Sequence, residues 1–190
     1  MIGKILFSLA AFALVAAKPA PLPPAPPRLS VVAPAEVAAD PSNKLTIELS
    51  TGGKVVVMLR PDAAPAHVER VKTLVRQGFY NGLKFHRVIP GFMAQGGDPQ
   101  GTGQGGSPLP DLKAEFNSLP FLRGTVGAAR AEQPDSANSQ FFIMFGPNGE
   151  MEGKYTVFGR VIEGMAAVDA IAPGEPPAQP TTIVRASLGG

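Results

Sequence analysis

The chain contains no cysteine and no tryptophan, and only two histidines, His67 and His86. Without cysteine there is no disulfide, no thiolate nucleophile, no zinc–thiolate site and no lipid anchor on an N-terminal Cys. Two histidines are too few for a multi-His metal centre. Charge is sparse as well. Charged residues make up 17% of the 190 positions and sum to +2, or +1 once Lys4 is removed with the segment described next. That balance is too small for an electrostatic footprint on nucleic acid, despite a pI near 9.0. Hydrophobic residues, at 44%, suffice for a packed core. The excess lies in 22 Gly and 21 Pro, with 11 Phe. Many turns, few long helices and a core built on Phe are expected.

The N-terminus reads as a secretory signal over residues 1–17. Lys4 gives the positive start, Ile5 to Ala17 is apolar apart from Ser8, and Val15-Ala16-Ala17 offers small residues before a cut at Lys18. The run is short of the roughly 20 apolar residues that span a bilayer. An uncleaved anchor is the alternative. Residues 18–42 carry eight prolines and read as an extended, semi-rigid spacer, since proline fixes φ and cannot donate to a ladder. Its other reading is a ligand for a proline-recognition module.

The folded domain is expected over residues 43–190. Leu45, Ile47 and Leu49 alternate with polar residues, and Lys54 to Arg60 follows after Thr51-Gly52-Gly53, which is a hairpin pattern. Pro65 opens a helix whose Val68, Val71, Leu74 and Val75 share one face, and Gly78 suits its C′ position. Short strand-like runs recur at 83–89, 92–95, 124–129, 140–145, 157–161 and 182–186. A brief helical pattern at Met165, Val168 and Ile171 precedes the last of them. Such an order suggests a β-barrel or sandwich with two helices.

Two familiar chemistries fail on context. Gly101 to Gly106 matches G-x-G-x-x-G, but Ser107-Pro108-Leu109-Pro110 follows where a dinucleotide site needs a helix. No serine sits in a G-x-S-x-G elbow. Asp98 and Glu115 read as solvated or structural carboxylates rather than a paired acid and base.

The informative segment is Phe85-His86-Arg87-Val88-Ile89-Pro90-Gly91-Phe92-Met93-Ala94-Gln95-Gly96-Gly97-Asp98. An arginine lies inside an apolar, strand-like run, so alternation can set its guanidinium beside an apolar floor. Taken alone, it is as readily a solvated arginine on a barrel edge. The segment resembles the cyclophilin signature nearly residue for residue. Ser139-Gln140-Phe141-Phe142-Ile143 and Val157-Phe158-Gly159-Arg160-Val161-Ile162-Glu163-Gly164-Met165 resemble that family's second and third motifs, in order. The stretch Asp98–Gly106 is similar to the glycine-rich loop of its short-loop members.

The resemblance covers roughly residues 44–187. It implies a mainly β fold, an eight-stranded antiparallel β-barrel capped by two α-helices. It implies peptidyl-prolyl cis/trans isomerase activity, for which no metal and no cofactor are needed. Arg87 would be the catalytic arginine. Phe92, Met93, Phe142 and Met151 would line the proline pocket, with Tyr155 at its edge. Gln95 and Gln140 would hold the peptide, and the backbone around Ala129 and Arg130 would pair with it.

Departures from the family pattern concern preference. Glu150 stands where many eukaryotic members carry a tryptophan, which implies weak cyclosporin binding. Tyr155 replaces a histidine, Arg130 an asparagine, and Ala128 is smaller than the usual methionine. With the signal, the reading is a periplasmic or secreted bacterial monomer. It would act on proline-containing peptides and on unfolded or folding proteins, with no nucleic-acid partner and no stable membrane insertion after cleavage. A proline-peptide binding or chaperone module with little turnover is the competing reading.

Overall fold

The computed structural model describes residues 28–189. Residues 1–17, read as a signal, and 18–27 of the spacer lie outside the described residues. Among the described residues no helix is long and apolar enough to cross a membrane.

Eight strands form one antiparallel sheet: β1 (Lys44–Leu49), β2 (Lys54–Leu59), β3 (Arg87–Ile89), β4 (Met93–Gly96), β5 (Thr125–Ala128), β6 (Phe141–Met144), β7 (Val157–Glu163) and β8 (Ile183–Leu188). Their spatial order is β3-β4-β6-β5-β7-β2-β1-β8. The sheet curls until its two edges meet. Lys84 bridges Thr182. Phe85 N–H donates to the Thr181 carbonyl at 2.9 Å, and Ile183 N–H to that of Leu83 at 2.8 Å. Curling hides the edge backbone that an open sheet would present to other chains. Strand existence follows the sequence reading throughout. The run expected from residue 83 is strand only from Arg87, because residues 82–85 are spent on this seam.

Three α-helices accompany the sheet, α1 (Ala35–Ala39), α2 (Pro65–Arg76) and α3 (Met165–Asp169). Two were expected. In α2, Pro65 occupies the first turn, where its missing N–H costs nothing. Val68, Val71, Leu74 and Val75 are buried. Gly78 (φ +69°) takes the left-handed C′ position, with Gly78 N–H on the Val75 carbonyl and Phe79 N–H on that of Leu74, both at 2.9 Å. The helix start has no local cap. Instead the Glu115 carboxylate accepts from the N–H groups of Ala66 and His67, each at 3.0 Å, so its charge meets the positive end of the helix dipole. Glu115 is thus structural.

The added helix corrects the expectation of an extended spacer within its described part, residues 28–42. From Leu29 onward the chain is tied to the barrel at several points. Leu29 N–H donates to Ser118 Oγ at 2.8 Å. Arg60, 2% exposed, donates from Nη1 to the carbonyls of Ser30 and Val31 while its other nitrogens hold Asp62. Val37 is buried, and its carbonyl accepts from Asn43 Nδ2 at 2.9 Å. Only Pro34 and Pro41 of the eight prolines lie in this described part, and they flank an alanine-rich stretch of good helix formers. The boundary read at residue 43 therefore falls inside packed structure.

The apolar interior divides in two. One cluster fills the barrel and includes Val88, Ala94, Phe141 and Ile143. The other comprises Met93, Leu119, Phe121, Phe142, Met144, Met151 and Val157. The division follows strand alternation, since successive side chains point to opposite faces. Phe141 and Ile143 go inward from β6, and Phe142 and Met144 go outward.

Candidate active site

The outward faces of β3, β4 and β6 build the site. Register pairs Arg87 with Gln95 and Gln95 with Phe142, so three side chains lie in one row across three strands. The next row, Ile89–Met93–Met144, is apolar. A cation and an amide thus border an apolar floor because of pleat and register alone.

Hydrogen bonds run along the polar side. Arg87 Nη1 makes a long contact of 3.5 Å to Gln95 Oε1. Gln95 Nε2 donates to Gln140 Oε1 at 2.9 Å. Gln140 Nε2 donates to the carbonyls of Gly103 and Gly105 at 3.0 and 2.8 Å. Arg87 Nε donates to Glu175 Oε2 at 2.7 Å. The glycine-rich loop is held in turn by Asp98. Burial would raise the pKa of that carboxyl, but the backbone N–H groups of Gln100, Gly103, Gly105 and Thr102 outweigh it and hold the value below the usual range. The G-x-G-x-x-G run is therefore wrapped around the protein's own carboxylate.

On the apolar side, Phe92, Ala129 and Tyr155 pack partly buried against the cluster that contains Met93, Phe142 and Met151. Phe121 stacks on Phe142 with centroids 6.0 Å apart, and Tyr155 stands edge-on to Phe142 at 5.8 Å. Arg130 lies over the Tyr155 ring at 4.7 Å. Its guanidinium also donates to the carbonyls of Lys154, Ala131 and Glu132. Ala129 N–H donates to the Gln140 carbonyl at 3.0 Å. Gln95, Ala129, Arg130 and Gln140 border a cleft of about 500 Å³. Glu150 is exposed on a 3₁₀ turn whose Met151 is buried.

All ten residues singled out in the sequence thus lie on one face. Three more belong there and were not singled out. Phe121 follows a proline in an aperiodic stretch, so no pattern marks it. Gly127 pairs with Phe142, and a Cβ there would overlap the Phe142 ring. Glycine is what lets that ring come up against β5. Glu175 lies 88 residues from its partner Arg87.

A family model described as "Cyclophilin type peptidyl-prolyl cis-trans isomerase/CLD" matches residues 44–188. The chain belongs to the cyclophilin-type peptidyl-prolyl cis-trans isomerases. It is an enzyme of that class, and the cyclophilin fold accounts for the eight-stranded curled sheet. Among similar proteins is a "Probable peptidyl-prolyl cis-trans isomerase" of Brucella suis, 54% identical over 148 residues, covering 72% of this chain and 75% of the relative. The crystal structure of a cyclophilin from Hirschia baltica matches with TM-score 0.73 and 30% identity, over 78% of this chain and 74% of that one. A Cryptosporidium parvum cyclophilin, crystallised in the presence of the dipeptide Ala-Pro, matches with TM-score 0.71 and 27% identity, over 76% of this chain and 98% of that one.

Proposed function

We propose that Arg87 drives X-Pro rotation by donating a hydrogen bond to the prolyl nitrogen of the twisted bond. The proline ring would sit on Phe92, Met93, Phe142 and Met151, with Tyr155 at its edge. Gln95, Gln140 and the backbone around Ala129 and Arg130 would hold the flanking chain. The single observation that carries this reading is the Arg87–Gln95–Phe142 row beside an apolar cluster.

The chemistry explains the residue types. Resonance gives the C–N bond a rotation barrier of about 18–20 kcal/mol. Rotation makes and breaks no bond. In the twisted state the prolyl nitrogen regains a lone pair that the planar ground state lacks, so a fixed donor favours the transition state over the substrate. Arginine suits this because it stays protonated and its donor fork is rigid. Unaided rotation takes roughly 10–100 s. Turnover near 10³ s⁻¹ then requires about 7 kcal/mol of barrier lowering. One preorganised donor supplies about 3–4. The balance falls to the apolar pocket, where the less polar twisted bond loses less solvation, and to the anchored chain.

Cellular role is part of the proposal. Lys4 with the apolar run Ile5–Ala17 supports export, and the enzyme would assist folding of exported proteins as a periplasmic or secreted monomer. N-terminal sequencing of the exported protein should begin at Lys18, and a chain retained in the cytoplasm with its first residues intact would overturn this.

The central test is a proline-peptide isomerisation assay on wild type beside Arg87→Ala. Activity should fall by about 10² or more with thermal stability unchanged. Full activity in the variant would refute the role.

A further inference from the structure

We propose that Glu175 is a positioning residue for Arg87. This rests on the reading of Arg87 given above. The pairing is built into the backbone. Val88 and Gly174 exchange both hydrogen bonds, Val88 N–H to Gly174 O at 2.8 Å and Gly174 N–H to Val88 O at 2.9 Å. In an antiparallel bridge the residue before one partner lies beside the residue after the other. Arg87 and Glu175 are those neighbours, so the carboxylate is brought to the guanidinium by the chain path rather than by a chance meeting of two long side chains.

The point of attachment matters. Glu175 Oε2 accepts from Nε at 2.7 Å, a short charge-assisted bond. Nε is the nitrogen nearest the stem, so fixing it restricts the torsions that aim the plane of the fork. Nη1 then points toward Gln95 Oε1. Nη2 remains for substrate, and the carboxylate takes up neither terminal amino group. Both side chains of the ion pair are roughly half exposed, at 42% and 51%. Such a pair contributes little to folding. Its consequence is orientation of a donor that would otherwise sample several rotamers.

The test is steady-state kinetics on a proline peptide for wild type, Glu175→Ala, Glu175→Gln, Arg87→Ala and the Arg87→Ala/Glu175→Ala double variant. Glu175→Ala should lower kcat about tenfold, the scale of a modestly misplaced group, and leave KM within about twofold. Glu175→Gln keeps an acceptor oxygen for Nε and should restore most of the loss. The double variant should be no slower than Arg87→Ala alone, since the effect passes through Arg87. In NMR the Arg87 Nε–H signal should exchange slowly with water in wild type and rapidly in Glu175→Ala. Unchanged kcat in Glu175→Ala, or an equal further loss in the Arg87→Ala background, overturns the proposal. Full activity of Arg87→Ala would instead overturn the role of the arginine itself.

Discussion

Strand β6 holds two adjacent phenylalanines with opposite duties. Phe141 is 6% exposed and Phe142 is 4% exposed, so burial does not separate them. Phe141 points into the barrel and meets Tyr80 and Phe85 edge-on. Phe142 points outward, its ring tip against Gly127 and its face stacked with Phe121, directly opposite Gln95 in the register. The inner ring packs among the buried side chains of the barrel. The outer ring completes a floor whose border is polar and open. Hydrophobicity makes both faces dry, and only what surrounds each face makes one of them a site.

Breaking this comparison begins with the two rings. Phe141→Ala should cost about 3–5 kcal/mol of stability, as large-to-small core changes do, with kcat/KM of the folded fraction near wild type. Phe142→Ala should lose activity by at least tenfold as well as stability, because it removes floor from the proposed proline pocket. Chemical denaturation and the isomerisation assay, run on both variants, decide it. Equal activity loss in the two would erase the distinction. A smaller effect comes from the other side of the same ring. Gly127→Ala pushes a methyl into the Phe142 ring and should cost about 1–3 kcal/mol through overpacking. The activity loss should be several-fold, and a crystal structure of the variant should show the ring displaced.

The smallest expected effect concerns pH and sharpens the contrast between stability and activity. Burial lowers the pKa of His67 below the ordinary 6.5, although Glu115 pulls it back up. Burial lowers that of His86 likewise, opposed by the charge of Asp98. Both are depressed in the folded state, so below about pH 6.5 the unfolded chain binds more protons. Their stabilising contribution is full above that value and is lost as pH falls toward the folded values. Thermal midpoints should therefore fall between about pH 7 and about pH 5, and His86→Leu should flatten part of the slope. The identical slope in that variant would remove His86 from the account.

Most of the strands and much of the site were legible in the sequence. Met93 and Gln95 are spaced by two, so one short run shows that they share a face, while Arg87 joins them through the antiparallel register of the neighbouring strand. The order of three motifs then pointed to Gln140 and Phe142. Phe121, Gly127 and Glu175 carried no such mark. A proline-flanked phenylalanine, a glycine in a strand and an acid in a Pro-rich loop have many local explanations. The helix at Ala35–Ala39 was missed because the proline count was read across the whole of 18–42, whereas partners such as Arg60 and Asn43 order its C-terminal part.

What the sequence determined alone is the period of its strands, the turns between them and the chemistry of the side chains on each face, all of which depend on near neighbours. The tertiary structure decided which faces meet. The seam between residues 82–85 and 181–183, the Glu115 cap on α2 and the Arg87–Glu175 pair join positions from 48 to about 100 apart in the chain. Such contacts exist only once the sheet has curled, because closing those loops costs entropy that the packed barrel must first offset.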